Sequence, residues 1–88
     1  MAKVKTSTGF EAELDDSFRE DWEYFEALAA AAAGKITGQV QLAHCVLSDK
    51  DLERLKDHCR EENGRVSAEK MTDELFELIK LTPSGKNS

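Results

Sequence analysis

Asp15-Asp16-Ser17-Phe18-Arg19-Glu20-Asp21-Trp22-Glu23-Tyr24-Phe25-Glu26-Ala27-Leu28-Ala29-Ala30-Ala31-Ala32-Ala33-Gly34 is the stretch that decides the fold. Phe18, Trp22, Phe25, Ala29 and Ala32 step by four, three, four and three, which draws one apolar stripe along a helix. Ser17 followed by Glu20 fits a capping box, and acids crowd the first turn, where the helix dipole favours them. Alanine is the strongest helix former, and Gly34 is a natural stop. The spacing predicts a helix over about 16–33.

Upstream of this helix the period changes to two. Val4, Thr6 and Thr8 alternate before Gly9, and Phe10, Ala12 and Leu14 alternate after it. Thr6-Ser7-Thr8-Gly9 supplies a turn, so residues 2–14 are predicted to form a β-hairpin. Two strands alone are marginal, so the hairpin must lie on the helices or on a partner strand.

Downstream, three more helices are predicted. Over 36–47, Ile36, Val40, Ala43 and Leu47 share one face, with Gln39, Gln41 and His44 off it, and Gly38 weakens the first turn. Over 49–63, capped by Ser48 or Asp49, Leu52, Leu55 and Cys59 line the inner face, and Asn63-Gly64 ends the helix in a left-handed cap. Over 68–81, Ser67 is the N-cap, Met71, Leu75, Leu78 and Ile79 form the stripe, and Pro83 closes it. The expectation is a mainly α fold of about four helices with a short N-terminal β-hairpin. It forms a single domain over residues 1–82 and ends in a polar tail over 83–88.

With 88 residues the chain is the size of one small domain, which buries only about 60–65% of its unfolded surface. So thin a core favours self-association. Charged residues make up 34%, above the usual quarter, and the net charge is −6. An acidic balance argues against a nucleic-acid partner, because phosphate neutralisation needs clustered Lys and Arg, and against anionic lipid. The longest apolar run, Ala27 to Ala33, is far short of a membrane span, and Met1-Ala2-Lys3-Val4-Lys5 has no apolar signal core. Two cysteines do not make a secreted disulfide framework, so a reduced cytoplasmic protein is expected, with a Cys45–Cys59 bridge as the alternative in an oxidising compartment.

Candidate chemistry is thin. His44-Cys45 and His58-Cys59 carry zinc-type ligands, but adjacent helical residues point about 100° apart, and paired ligands usually stand two to four residues apart. Both cysteines read better as small buried hydrophobes. Gly34-Lys35-Ile36-Thr37-Gly38 lacks the upstream glycine and the hydroxyl of a phosphate loop. Asp49-Lys50-Asp51 has Arg54 where a calcium loop needs Gly. A Cys–His nucleophile pair has no identifiable oxyanion donor. No enzyme activity, metal, cofactor or small-molecule substrate is expected.

Two features invite an interaction reading. Glu11, Glu13, Asp15, Asp16, Glu20, Asp21, Glu23 and Glu26 stand against the single base Arg19. This block is read as a solvated face, or alternatively as a surface for a basic partner. Ala29 to Ala33 is read as ordinary helix packing, or alternatively as a shallow seam for another helix.

From Val46 on, the chain resembles a known family. Val46-Leu47-Ser48-Asp49, Leu52-Glu53-Arg54-Leu55-Lys56-Asp57-His58, Arg60-Glu61-Glu62-Asn63-Gly64-Arg65-Val66-Ser67, then Met71 and Glu74, and Lys86-Asn87-Ser88 at the end, are similar to the small tail assembly chaperones of long-tailed bacteriophages. Residues 1–45 share only the style, an acidic start and then a helix. The resemblance implies a protein that binds the helix-rich tape-measure protein and keeps it soluble until the tail tube polymerises around it. It implies no catalytic residue. It implies residence in the cytoplasm of the infected or lysogenic host and absence from the mature virion. Before assembly such a client exposes long apolar stripes, which a helical protein with an open apolar surface can cover. The candidate partner-binding residues are Phe18, Trp22, Phe25, Ala29, Ala30 and Ala32; the competing and preferred reading puts the three rings in the core. The family also tends to make a longer product by frameshifting, and Gly85-Lys86-Asn87 permits a slippery heptamer.

Two rival readings share the fold. One is a small homo-oligomeric interaction module with another client. The other is a helix-turn-helix regulator, disfavoured because the helix after Ser67 carries Glu69, Asp73, Glu74 and Glu77 against Lys70 and Lys80.

Overall fold

The structure, a computed structural model, describes residues 2–82. The polar tail over 83–88, the Pro83 stop and the frameshift tripeptide lie outside the described residues. The fold is mainly α with a short N-terminal hairpin. Strand β1 (Ala2–Lys5) pairs antiparallel with β2 (Glu11–Leu14), with Ala2 opposite Leu14 and Val4 opposite Ala12. A 3-10 helix (Asp16–Glu20) follows. Then come α1 (Trp22–Ala32), α2 (Ile36–Val46), α3 (Asp49–His58) and α4 (Ala68–Leu81).

The period-two pattern is realised on the two strands, while Thr8 sits exposed in the turn between them. Val4, Phe10, Ala12 and Leu14 are buried, and their neighbours Lys3, Lys5, Glu11 and Glu13 face water. The turn closes when the Thr6 amide donates to the Phe10 carbonyl at 2.8 Å and the Gly9 amide to the Thr6 carbonyl at 3.0 Å. Gly9 has a φ of 96°, a backbone state that L side chains avoid. The hairpin lies on the helices, against α4, as a lone hairpin must.

The helix expected over 16–33 is two pieces. Asp21 takes an extended backbone (φ −89°, ψ 127°) and ends the 3-10 helix while capping α1, its carboxylate accepting from the Glu23 amide at 3.0 Å. The capping box is therefore corrected: Asp15, and not Ser17, is the N-cap of the 3-10 helix, its carboxylate accepting from the Ser17 amide at 3.0 Å. The break changes the phase of α1. Phe18 and Tyr24 are both buried, with ring centroids 5.0 Å apart, although six residues do not share one face of a continuous helix. The buried line of α1 becomes Tyr24, Ala27 and Ala31. Its end is a Schellman cap: the Gly34 amide donates to the Ala31 carbonyl and the Lys35 amide to the Ala30 carbonyl, both at 3.0 Å, with Gly34 at φ 84°.

The inner face of α2 is also corrected. Ile36 and Val40 are 76% and 55% exposed, and the buried residues are Gly38, Leu42, Ala43 and Val46. Close approach of α1 is the cause. A Cβ on Gly38 would lie 2.5 Å from the Ala30 Cβ and 2.6 Å from the Ala31 backbone nitrogen, so the smallest residue must face inward. Helix α3 ends at His58, earlier than expected, and Asn63-Gly64 sits in a separate turn closed by an Arg60–Val66 bridge. Ser48 and Ser67 are the N-caps of α3 and α4, with Leu52, Leu55, Cys59, Leu75 and Leu78 turned into the common core.

Candidate functional site

The six residues proposed for partner binding separate into two groups. Trp22 and Phe25 are 69% and 48% exposed, and Ala29 and Ala32 are exposed on the same helix. Phe18 is buried in the core, so its ring is not part of an outer face. Ala30 is taken up by the crossing with Gly38. The preferred core reading thus holds for Phe18 and is corrected for Trp22 and Phe25. The alanine run serves both uses, since Ala27, Ala30 and Ala31 turn inward or toward α2 while Ala29, Ala32 and Ala33 turn outward.

Helix geometry explains the outward arc. At 100° per residue, Phe25, Ala29, Trp22 and Glu26 follow one another around an arc of about 100° opposite the buried line. The Trp22 and Phe25 rings meet edge to face at 6.3 Å, and Phe25 also leans on Tyr24 at 5.9 Å. Glu20, Asp21, Glu23 and Glu26 surround them, and among the described residues none has an ion pair. The one base of this block is occupied elsewhere. The Arg19 guanidinium donates to the carbonyls of Ile79 at 2.7 Å and Thr82 at 2.8 Å and lies over the Phe18 ring at 5.0 Å, tying the 3-10 helix to the end of α4.

A second apolar feature lies between α2 and the α3–α4 pair. It is a groove of about 350 Å³ whose walls include Ile36, Val40, Leu42, Leu55, Met71 and Phe76. Thr72 of α4 donates to Gln39 Oε1 of α2 across it at 3.4 Å. Ile36 and Val40 reach this groove because the α1 contact turns α2 away from the face its own periodicity indicates.

Sequence reading missed a polar latch at the hairpin tip. Glu74 is 5% exposed; its Oε2 accepts the Thr8 hydroxyl at 2.6 Å, and its Oε1 is buried with no hydrogen-bond partner among the described residues. His58 Nε2 lies 2.8 Å from the same Thr8 oxygen; because the single hydroxyl proton goes to Glu74, this contact requires the Nε2–H tautomer as donor. The Ser7 amide and hydroxyl donate to the two Glu77 oxygens at 2.6 and 3.0 Å. The partners are 50 to 70 residues apart in the chain, so no local spacing announces them.

Both cysteines are free; Cys59 is buried and Cys45 half-buried. Burial pushes both thiols above their ordinary range, helped by Asp21 and Glu23 at Cys45 and by Glu74 at Cys59. Among the described residues no group of three His, Cys, Asp or Glu side chains is placed to hold a metal. Gly34 and Lys35 form a helix–helix joint. Asp51 pairs with Arg54 at 2.8 Å at the start of α3. The link from α3 to α4 spans residues 59–67, longer than the three- or four-residue turn of a DNA-binding helix pair. Among the described residues no helix is long and apolar enough to cross a membrane. Comparison with protein-family models, curated proteins and solved structures finds no match.

Proposed function

We propose that this chain is a phage tail assembly chaperone that binds the tape-measure protein and keeps it soluble in the cytoplasm of the bacterial host. One observation carries the reading. The α1–α2 hairpin turns four large apolar side chains, Trp22, Phe25, Ile36 and Val40, toward solvent, although an 88-residue domain has little apolar surface to spare. Covering one such side chain stabilises a complex by about 1.5–3 kcal/mol, so the outward set is a reserve of binding energy the fold leaves unused. A long helical client with exposed apolar stripes is a partner able to use it, and the acidic surround keeps the complex dispersed. The resemblance from Val46 onward supplies the client's identity.

Co-expression with the tape-measure protein of the same gene cluster tests the reading. The expected result is a soluble client that co-purifies with this protein, with Trp22→Ala lowering the yield. A client that stays insoluble at every expression ratio, with nothing co-purifying, overturns it. A small interaction module with a different client shares the same exposed face; it is the reading left standing by that second result.

A further inference from the structure

The outward face of α1 combines an apolar centre with an anionic border. Its centre is apolar: Trp22 is 69% exposed and Phe25 48%, followed along the helix by the small side chains Ala29 and Ala32. Its border is anionic: Glu20, Asp21, Glu23 and Glu26 have no cation paired with them among the described residues. On α3, by contrast, Asp51 is met by Arg54, Glu53 by Lys56 and Asp57 by Arg60. Only Arg19 stands in the acidic block, and its guanidinium is committed to the Ile79 and Thr82 carbonyls.

We infer that this face is a docking surface for a basic amphipathic helix, one whose apolar side chains cover Trp22 and Phe25 and whose Lys or Arg residues meet Glu20, Glu23 and Glu26. The inference rests on the chaperone reading for its biological client and deepens it by naming the chemistry of the bound segment. Charge complementarity selects the partner. An apolar helix with acidic flanks would bring like charges together, whereas Lys or Arg would neutralise the border and stack on the exposed rings. Shape selects a helix. From Trp22 to Ala32 the face runs about 15 Å, and the alanines at its far end let a second backbone approach closely.

Trp22 is the single tryptophan, so its fluorescence reports this face directly. The probe is a synthetic amphipathic helix of Leu and Lys, compared with the same helix carrying Glu for Lys. The Leu/Lys peptide is expected to shift Trp22 emission to the blue and saturate, with affinity falling as salt rises from about 0.05 to 0.5 M. The triple variant Glu20→Gln, Glu23→Gln, Glu26→Gln should bind on the order of tenfold more weakly, as should Phe25→Ala. A control of equal charge change, Glu62→Gln, Glu69→Gln, Asp73→Asn, should stay within about twofold, since those acids lie outside the face.

Equal weakening by both triples, equal binding of the acidic peptide, or an unmoved Trp22 emission overturns the inference. So does a blue shift that grows with protein concentration alone, which would assign the face to a second copy. Circular dichroism and melting of each variant separate lost docking from lost folding. A tape-measure client solubilised equally by wild type and by the Glu20, Glu23, Glu26 triple removes this inference and leaves the chaperone reading. Docking of the basic peptide without any effect on the client does the reverse.

Discussion

Replacing Gly38 with Ala tests how closely α1 and α2 are held. Gly38 is the third residue of α2, in ordinary helical backbone, where alanine is favoured by about 1 kcal/mol on propensity alone. Propensity therefore predicts a stabilised variant. Packing predicts the opposite. The new Cβ would stand 2.5 Å from the Ala30 Cβ, 2.6 Å from the Ala31 nitrogen and 2.7 Å from the Ala30 carbonyl carbon, where ordinary contact begins at 3.4 Å. Two of these three atoms are backbone, so no rotamer change relieves the contact, and the helices must part by about 1 Å, which loosens the side chains between them. Overpacking of this kind costs about 3 kcal/mol at the upper end, leaving about 2 kcal/mol of net destabilisation after the propensity gain. For a domain of this size that lowers Tm by roughly 8–16 °C. Thermal and urea unfolding of wild type and Gly38→Ala measure it. Adding Ala30→Gly removes one contact and leaves the two backbone ones, so the double variant should recover only part of the loss. A Gly38→Ala protein as stable as wild type, or more stable, refutes the close-packing argument.

Other expectations follow from the same geometry. Thr8→Val removes the hydroxyl that donates to the buried Glu74 carboxylate and should cost about 2 kcal/mol in urea unfolding, with the denaturant slope unchanged. Arg19→Met keeps much of the apolar stem over Phe18 but leaves the Ile79 and Thr82 carbonyls without their donor, so the amides of the last turn of α4 should exchange faster while those of α3 hold. Both thiols are raised by burial, so the folded state binds their protons more tightly than the unfolded state does. Their contribution is full below the unfolded thiol value of about 8.5 and is lost as pH climbs through the higher folded values. Stability should therefore fall on the alkaline side, less steeply in a Cys45→Ala, Cys59→Ala variant, and a thiol reagent should reach Cys45 before Cys59.

Much of this architecture is legible in the sequence alone. The period-two alternation around Gly9, the Ser48 and Ser67 caps, and the Leu52, Leu55, Leu75 and Leu78 positions are local signals, and each is realised where it was read. Hairpin pairing, capping and helical periodicity act over a few residues, so a one-dimensional reading reaches them. The misreadings have a common cause. Asp15 and Asp21 compete as caps, and burial of both Phe18 and Tyr24 settles the competition by breaking the helix between them. The α1 crossing draws Gly38 inward and leaves Ile36 and Val40 outside, although hydrophobicity alone ranks them the other way.

The candidate site follows that division. Acidic and aromatic residues over 18–26 mark a surface of interest in the sequence, but their periodicity does not say which side of the stripe faces water. The phase shift at Asp21 answers it, turning Tyr24, Ala27 and Ala31 inward and Trp22, Phe25, Ala29 and Ala32 outward. The Glu74–Thr8–His58 latch was beyond reach for another reason: its members come from the hairpin tip, the end of α3 and α4, far apart in sequence, and meet because the hairpin lies on the helices. Element type is set by neighbours along the chain. Which face is buried, and which distant groups meet, is set by how closely two backbones approach, a quantity no single segment carries.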